Sequence, residues 1–275
     1  MIGQKMLLEY IDNLKNNFPR FSIIVGSQGS GKKTLVKEIS KMLNVPYIIW
    51  ENKIDDIRSL NELMNQQTET TIYCIPNYED MTFRARNSLL KMCEEPPNKS
   101  YIILTSTSKE IILPTILNRG VVFVMQPYLE DELHCIEKDK YGFDMGHTRE
   151  QVDKFITLCR VPGDLDKVRN MDFNAFVEFM KKFWEHIGSS SAGNSLKVAS
   201  KLKIKEDSAD TTLYDIDIFL NYLIKLNMQE EITEKQSKIY QLIMWARKCL
   251  QLKYNKQYIV DKFILDLRGI KNGVI

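Results

Sequence analysis

The chain has 275 residues, of which 44% are hydrophobic and 27% are charged, and its formal net charge at pH 7 is +2. This composition is typical of a globular protein and excludes a chain that is disordered throughout, and the charge is too small to indicate nucleic-acid binding by itself. No apolar run approaches the ~18 residues of a membrane span, and the amphipathic N-terminus does not resemble a secretion signal, so a cytoplasmic protein is expected. The five cysteines are scattered without a CxxC pair, so no zinc site is expected.

A phosphate-binding loop is predicted between the first strand and the helix that follows it. Ser22–Val25 is an apolar run, and the sequence GSQGSGK that comes next fits the pattern G-x-x-x-x-G-K ahead of an amphipathic helix. Glycines let the backbone curl, so that its N–H groups and the helix N-terminus face an anionic phosphate. The pattern predicts binding of ATP or ADP, with contacts from Gly26, Gly29, Gly31, Lys32, Lys33 and Thr34.

The residue after Lys32 departs from this pattern. Ser or Thr at that position supplies the hydroxyl that holds Mg²⁺, whereas this chain has Lys33, and Thr34 comes one place late. A shift of one residue turns a helical side chain by ~100°, so Thr34 cannot simply substitute. Nucleotide binding is therefore expected without a good Mg²⁺ site, and hydrolysis is expected to be impaired.

The second predicted strand, Thr71–Ile75, strengthens that expectation. A hydrolysing P-loop protein follows this strand with Asp-Glu, where the Asp helps to hold Mg²⁺ and the Glu orients the attacking water. This chain has Pro76 and Asn77, neither of which can bind the metal by charge or act as a general base. Glu79 and Asp80 lie further along and are interpreted as solvated loop residues.

The stretch Asn87–Arg119 carries the most information. Its pattern predicts a helix stopped by Pro96, a buried strand at Tyr101–Leu104 and a second helix that ends at Arg119. The sequences LLKxxEEPP, ILT and LPTILxR closely resemble the DNA polymerase clamp-loader subunits of the AAA+ class, above all the delta-prime subunits of bacterial-type DNA polymerase III. The sequence GKKT in the phosphate loop is similar to that of one small subunit of the eukaryotic clamp loader.

The resemblance implies a role for Arg119. In this family the arginine leaves its own subunit and points at the ATP held by a neighbour, where it stabilises charge on the transferred phosphoryl group. The alternative is a solvated arginine at a helix end.

Further residues take implied roles from the same resemblance. Ser106 and Thr107 occupy the place where relatives put a polar residue that senses the terminal phosphate. Clamp loaders grip the DNA backbone with helices of this region, so Arg84, Arg86 and Lys91 are candidate phosphate contacts. The alternative for these cations is that they solvate an exposed helix start.

The chain is predicted to be an α/β protein in three parts. Residues 1–126 form an AAA+ P-loop domain with a parallel sheet, residues 127–170 a helical lid, and residues 171–275 an all-α collar that holds neighbouring subunits. Within the collar, helices are predicted at Ser195–Lys205, Leu213–Leu226 and Glu234–Lys253.

The resemblance implies a subunit of a hetero-oligomeric DNA sliding-clamp loader. Its partners would be other loader subunits, the sliding clamp and primer–template DNA, and it would offer Arg119 in trans without hydrolysing ATP itself. Two alternatives stay open at this point: a catalytically active AAA+ clamp-loader ATPase, and a purely structural subunit of the ring.

Overall fold

A computed structural model describes residues 1–50, 57–97, 99–142, 148–169, 171–188, 191–197, 199–202, 214–227 and 233–274. The chain divides into two compact units, Met1–Glu132 and Leu133–Ile275. The finer division at residues 126 and 170 stays a prediction.

The first unit is built on a sheet of five parallel strands in the order β2-β3-β4-β1-β5. Its elements in chain order are α1 (Lys5–Asn13), β1 (Phe21–Val25), α2 (Lys32–Leu43), β2 (Tyr47–Ile49), α3 (Ile57–Gln66), β3 (Thr71–Ile75), α4 (Phe83–Glu94), β4 (Ser100–Ser106), α5 (Pro114–Leu117) and β5 (Val121–Val124). Short 3₁₀ turns lie at Lys15–Asn17, Tyr78–Asp80 and Lys109–Ile111.

Helices cover both faces of this sheet, which explains why its central strands are continuous apolar runs. Every residue of β1 and β3 is buried. Successive side chains point to opposite faces, so Ile23 packs in the core under α3 and α4, while Ile24 packs in the core under α1 and α2. The parallel α/β fold predicted for this region is therefore confirmed. Its β1, β3 and β4 strands end at the same edge of the sheet, where ligands bind in folds of this kind.

The elements between α4 and β5 follow the predicted order with one difference. Helix α4 ends at Glu94, just before the proline pair, and β4 is longer than the predicted strand by one residue at its start and two at its end. The predicted second helix does not reach Arg119, because α5 ends at Leu117 after a single turn. Arg119 lies in the tight turn that leads into β5, where its N–H donates to the carbonyl of Ile116 at 3.1 Å.

The second unit is built of helices in its described residues, apart from an isolated β-bridge between Leu202 and Tyr214. It contains most of α6 (Glu130–Tyr141), and then α7 (Arg149–Ile156), α8 (Pro162–Arg169), α9 (Phe173–His186), α10 (Ala192–Leu196), α11 (Ile216–Asn227), α12 (Glu234–Gln251) and α13 (Lys256–Lys271), with a 3₁₀ turn at Ala199–Lys201. The predicted helices at Leu213–Leu226 and Glu234–Lys253 correspond to α11 and α12, although residue 213 lies outside the described residues. The helix predicted at Ser195–Lys205 is wrong over its described residues: the Ser191 side chain caps a helix that starts earlier and ends at Leu196, and a 3₁₀ turn follows at Ala199–Lys201. Residues 198 and 203–205 lie outside the described residues.

An ion-pair cluster joins α8 to the segment that leads into α11. Lys167 Nζ lies 3.3 Å from the carboxylate of Asp164, 3.1 Å from Asp215 and 3.0 Å from Asp217. Asp164 is buried, and it also accepts a hydrogen bond from the backbone N–H of Arg160 at 3.0 Å. Burial alone would lower the pKa of Lys167, but the three carboxylates outweigh that effect and raise it.

Candidate functional site

The loop between β1 and α2 needs glycine at the three positions that the pattern singled out. Gly29 and Gly31 have φ angles of 77° and 90°, in the left-handed region that side chains disfavour. A Cβ on Gly26 would lie 2.7 Å from Ser30 Oγ and 3.0 Å from Met125 Cβ, so the loop passes too close for any side chain. The backbone therefore curls over the end of β1 as a phosphate loop requires.

Two residues from outside the motif hold this loop and the segment after β5 in place. The hydroxyl of Tyr128 donates to the carbonyl of Ser30 at 2.9 Å, and burial raises the pKa of Tyr128 to about 12. The amide of Gln4 donates to the carbonyl of Gln126 and accepts from its backbone N–H, both at 2.7 Å. Neither Gln4 nor Tyr128 was predicted from the sequence, because neither belongs to a pattern and both residues contact partners that are distant in the chain.

Lys32 is folded back onto its own loop. Its Nζ donates to the carbonyl of Gly26 at 2.7 Å and to that of Ser27 at 3.0 Å, and the residue is only 9% exposed. Burial lowers the pKa of Lys32 to about 8, although the nearby carboxylate of Glu79 acts in the opposite direction. A bound phosphate would offer this ammonium stronger acceptors than the two carbonyls.

Lys33 and Thr34 lie in the first turn of α2 and are exposed. The charge of Lys33 reaches the adjacent strand: burial raises the pKa of the Cys74 thiol to about 12, and Lys33 partly offsets that rise. Lys33 therefore lies within electrostatic range of the carboxyl-terminal part of β3.

The two residues directly after β3 offer no charged ligand for a divalent metal. Pro76 has no donor atom in its side chain, and Asn77 adopts a left-handed backbone, with φ 53°, in which its N–H donates to Thr105 Oγ1 at 3.1 Å. Among the described residues, no group of three or more His, Cys, Asp or Glu side chains could hold a metal ion. With Lys33 in place of the usual hydroxyl, the residues at this site fit a phosphate but do not fit Mg²⁺.

Glu79 is not the solvated loop residue that the sequence suggested. It is half-buried, and its carboxylate accepts from Ser106 Oγ at 3.1 Å and from the backbone N–H of Thr107 at 3.2 Å. The 3₁₀ turn at Tyr78–Asp80 places it across the end of β4, beside Lys32. The signal was absent from the sequence, because the position of this carboxylate depends on the turn. Asp80 is exposed, as expected.

Arg119 is anchored within its own chain. Its Nη1 donates to the carbonyl of Thr115 at 2.5 Å, and its Nη2 forms an ion pair with the carboxylate of Glu94, the last residue of α4. About a third of the Arg119 side chain is exposed. The guanidinium therefore lies at the surface of the first unit.

The three cations of α4 do not form one surface. Arg84 and Lys91 are exposed and lie two helical turns apart on the same side. Arg86 instead stacks over the ring of Tyr78, 4.8 Å from its centroid, and its Nη2 donates to the carbonyl of Glu79 at 3.2 Å. Phe83, beside Arg84, is an exposed aromatic side chain that no sequence pattern indicated.

No helix in the described part of the chain is both long enough and apolar enough to cross a membrane.

Comparison with known proteins gives a family match that lies within the first unit. Residues 14–128 match the family described as "DNA polymerase III, delta subunit". The chain is 43% identical over 84 residues to the uncharacterized MG007 homolog of Mycoplasma pneumoniae, covering 30% of this chain and 33% of that protein. It is 24% identical over 157 residues to the DNA polymerase III subunit delta' of Buchnera aphidicola subsp. Baizongia pistaciae, covering 56% of this chain and 45% of that protein.

The DNA polymerase III subunit gamma of the same Buchnera is 26% identical over 170 residues, covering 50% of this chain and 46% of that protein. The chain thus spans between a third and somewhat under half of the length of these curated relatives.

The solved structures with a similar fold include RuvB, the Holliday junction branch migration motor of Thermotoga maritima. The TM-score is 0.50 at 14% identity, covering 90% of this chain and 78% of RuvB. A second RuvB structure from the same organism gives a TM-score of 0.51 at 14% identity, covering 98% of this chain and 88% of that RuvB chain. At this identity the similarity demonstrates the fold alone, and the AAA+ fold expected from the motifs is confirmed. The resemblance stated from the motifs is confirmed as well, since residues 14–128 match a DNA polymerase III family and the chain is similar to delta' and gamma subunits of that polymerase.

Proposed function

We propose that this protein is a subunit of a hetero-oligomeric DNA sliding-clamp loader that binds ATP or ADP, does not hydrolyse it, and supplies Arg119 to the nucleotide of a neighbouring subunit. The observation that carries the proposal is a phosphate loop that keeps its backbone form and its lysine, next to a strand end where Pro76 and Asn77 stand in place of the usual acidic pair. A cytoplasmic location is part of the same proposal.

The absence of hydrolysis by this chain is argued from the residues around the loop. Lys32 can pair with a phosphate oxygen, and the curled backbone offers N–H donors. Pro76 and Asn77 offer neither the charge that positions a metal nor a base that orients water. The geometry favours binding over turnover.

The role of Arg119 is supported by its accessibility and by the weakness of what holds it. Its partners within the chain are one carbonyl and the carboxylate of Glu94, which is itself about half exposed. Exposed ion pairs contribute ~1 kcal/mol or less, so a neighbour's phosphate can displace Glu94 at little cost. The guanidinium would then stabilise charge that develops on the transferred phosphoryl group, an effect worth ~10³ to 10⁵ in rate in other NTPases.

The proposed partners are the other loader subunits, the sliding clamp and primer–template DNA. Arg84 and Lys91 are the proposed contacts to the DNA backbone, since both residues are exposed on one side of α4. The role of residues 171–275 as a collar belongs to the same proposal.

The decisive experiment compares the ATPase rate of the reconstituted assembly, stimulated by clamp and primed DNA, with wild-type chain and with Arg119→Ala. A loss of tenfold or more, with the assembly intact by gel filtration, is expected. Arg149→Ala, which removes another exposed arginine, should leave the rate unchanged and serves as the matched control. An unchanged rate for Arg119→Ala would leave the chain as a purely structural subunit.

The position of Glu79 favours a second candidate, a catalytically active ATPase. Its carboxylate lies at the sheet edge beside Lys32 and Thr107, where a base could act on water. This candidate predicts Mg²⁺-dependent turnover by the purified chain that is lost in both Glu79→Gln and Lys32→Ala. Absence of turnover by the wild-type chain alone would eliminate it.

A further inference from the structure

The hydroxyl and the carboxylate that usually hold Mg²⁺ at a phosphate loop are both missing where a bound nucleotide would need positive charge. Di- and triphosphates carry several negative charges at neutral pH, and Mg²⁺ normally neutralises part of them between the loop and the neighbouring strand. Here the hydroxyl position is occupied by Lys33, and the position of the acidic metal ligand is occupied by Pro76. A nucleotide bound here needs another source of charge.

Lys33 lies at the end of the phosphate loop and is exposed there. Lys33 follows Lys32 in the first turn of α2, and its charge acts on Cys74 of β3. Cys74 packs in the core under α1 and α2, on the sheet face that α2 covers. Lys33 is therefore exposed at the position where the pattern puts the metal-holding hydroxyl, on a helix that packs over the face of β3 that carries Cys74.

We propose that Lys33 takes the place of the divalent cation, so that this loop binds a nucleoside di- or triphosphate without Mg²⁺. The inference rests on the proposed nucleotide binding and specifies its chemistry. Lysine is a compact point charge that pairs well with phosphate oxygens. Lys32 and Lys33, together with the N-terminus of α2, supply the positive charge that the phosphates require.

This arrangement has a consequence for the effect of free Mg²⁺. In solution Mg²⁺ binds the phosphate tail of a nucleotide and neutralises part of its charge. The hydrated ion would then enter the site with the nucleotide and lie next to the ammonium of Lys33, which has a charge of the same sign. Mg²⁺ is therefore expected to leave the affinity unchanged or to lower it, which is the reverse of its effect on a metal-dependent phosphate loop.

The test is a fluorescence titration of the full 275-residue chain with ADP and ATP carrying a fluorescent ribose label, in EDTA and in excess Mg²⁺. The wild-type Kd should be no higher in EDTA than in Mg²⁺. Lys33→Met removes the charge but keeps the length of the side chain, and should raise the Kd in EDTA roughly tenfold or more. Lys37→Met, an exposed lysine one turn further along α2, is the matched control and should bind as the wild type does.

A second variant tests the substitution in the opposite direction. Lys33→Thr combined with Pro76→Asp restores the two usual metal ligands and should bind more tightly with Mg²⁺ than with EDTA. Circular dichroism and a thermal melt establish that each variant is folded.

Three results would overturn the inference. Wild-type binding that Mg²⁺ tightens by about tenfold would mean that the loop uses a metal after all, with nucleotide binding itself intact. A Lys33→Met variant that binds like the wild type would mean that the ammonium does not face the phosphates. If the wild-type chain binds no nucleotide in either condition, the inference and the nucleotide-binding part of the proposed function fail together. The role of Arg119 is still tested separately by the ATPase of the assembly.

Discussion

Arg119 and Glu94 form an ion pair that links the turn after α5 to the last residue of α4. The two residues belong to sequence segments 25 positions apart, and both were part of the pattern that suggested the family. In the free chain the guanidinium proposed to act on a neighbour's nucleotide is thus occupied by a carboxylate of its own subunit. The pair holds the arginine near the surface without burying it.

Removing the carboxylate should therefore release Arg119 with little effect on folding. In Glu94→Gln, the free energy of unfolding is expected to fall by ~1 kcal/mol or less, because both side chains are substantially exposed. The stimulated ATPase of the assembly should stay at or above the wild-type rate. Denaturant titration and the ATPase assay measure the two effects. A rate lower by about tenfold would mean instead that Glu94 aims the arginine.

Nucleotide affinity should depend on pH through Lys32. Burial lowers the pKa of this ammonium to about 8 in the free chain, so its charged fraction falls steeply between pH 7 and pH 9. Because phosphate binding needs the charged form, the Kd should rise about tenfold over that interval. Titrations at pH 7, 8 and 9 measure it, and Lys32→Met should bind weakly and lack the dependence. A Kd of the wild type that is constant over this range would contradict the prediction.

The lowered pKa of Lys32 should make the folded chain more stable as pH rises, although nucleotide binding weakens over the same range. The folded chain holds the Lys32 proton less tightly than the unfolded chain, in which the pKa is about 10.4. Between about pH 8 and pH 10.4 the unfolded state binds more protons at this residue, so the contribution of Lys32 to the free energy of unfolding rises with pH. Comparing the pH dependence of denaturant midpoints in the wild type and in Lys32→Met isolates this contribution.

The cations of α4 should separate into two groups. Arg84→Ala and Lys91→Ala are expected to weaken DNA binding by the assembly at all sequences and to reduce the slope of log K against log salt by about 1 each. Both are exposed, so stability should change by less than ~0.5 kcal/mol. Salt-dependent binding to primed DNA measures the slopes. Unchanged slopes would remove both residues from the DNA interface.

Arg86→Ala serves as the comparison for those two variants. Its guanidinium stacks on Tyr78 and donates to the carbonyl of Glu79, so its loss should destabilise the first unit by ~1 to 2 kcal/mol. The destabilisation is measured by denaturant titration. A variant that loses only DNA affinity and no stability would show that Arg86 faces the DNA after all.

Lys167 is expected to contribute strongly to the stability of the second unit. Lys167→Met leaves three carboxylates, one of them buried, close together without their shared cation, so the free energy of unfolding should fall by ~2 kcal/mol or more. Lys182→Met removes an exposed i,i+4 pair and should change it by ~0.5 kcal/mol or less. Thermal melts of the two variants give the comparison. Equal effects would mean that the cluster contributes no more than a surface pair.

The raised pKa of Lys167 also predicts how the free energy of unfolding changes at alkaline pH. Its stabilising contribution is fully present below the unfolded pKa of about 10.4 and is lost as pH rises through the higher folded value. The wild type should therefore lose more stability above about pH 10.4 than Lys167→Met does. Denaturant titrations of the two chains on either side of that pH provide the measurement.

The sequence by itself determined the parallel sheet and the phosphate loop. Strands such as Thr71–Ile75 are buried on both faces, so they are continuous apolar runs that can be recognised without a structure. The glycines of the loop are required by local backbone geometry, which is a property of a few consecutive residues. The mismatch at Lys33 and Pro76 was equally legible, because a metal ligand is defined by residue type.

Only the tertiary structure decided which side chains share a surface and which are held inside. Sequence spacing placed Arg84 and Arg86 together, yet Arg86 turns inward onto Tyr78 while Arg84 stays exposed. Glu79 looked like a loop residue until a 3₁₀ turn brought its carboxylate to the end of β4. The reason is physical: local patterns report how a segment folds, whereas hydrogen bonds and ion pairs between distant segments depend on how the folded segments pack.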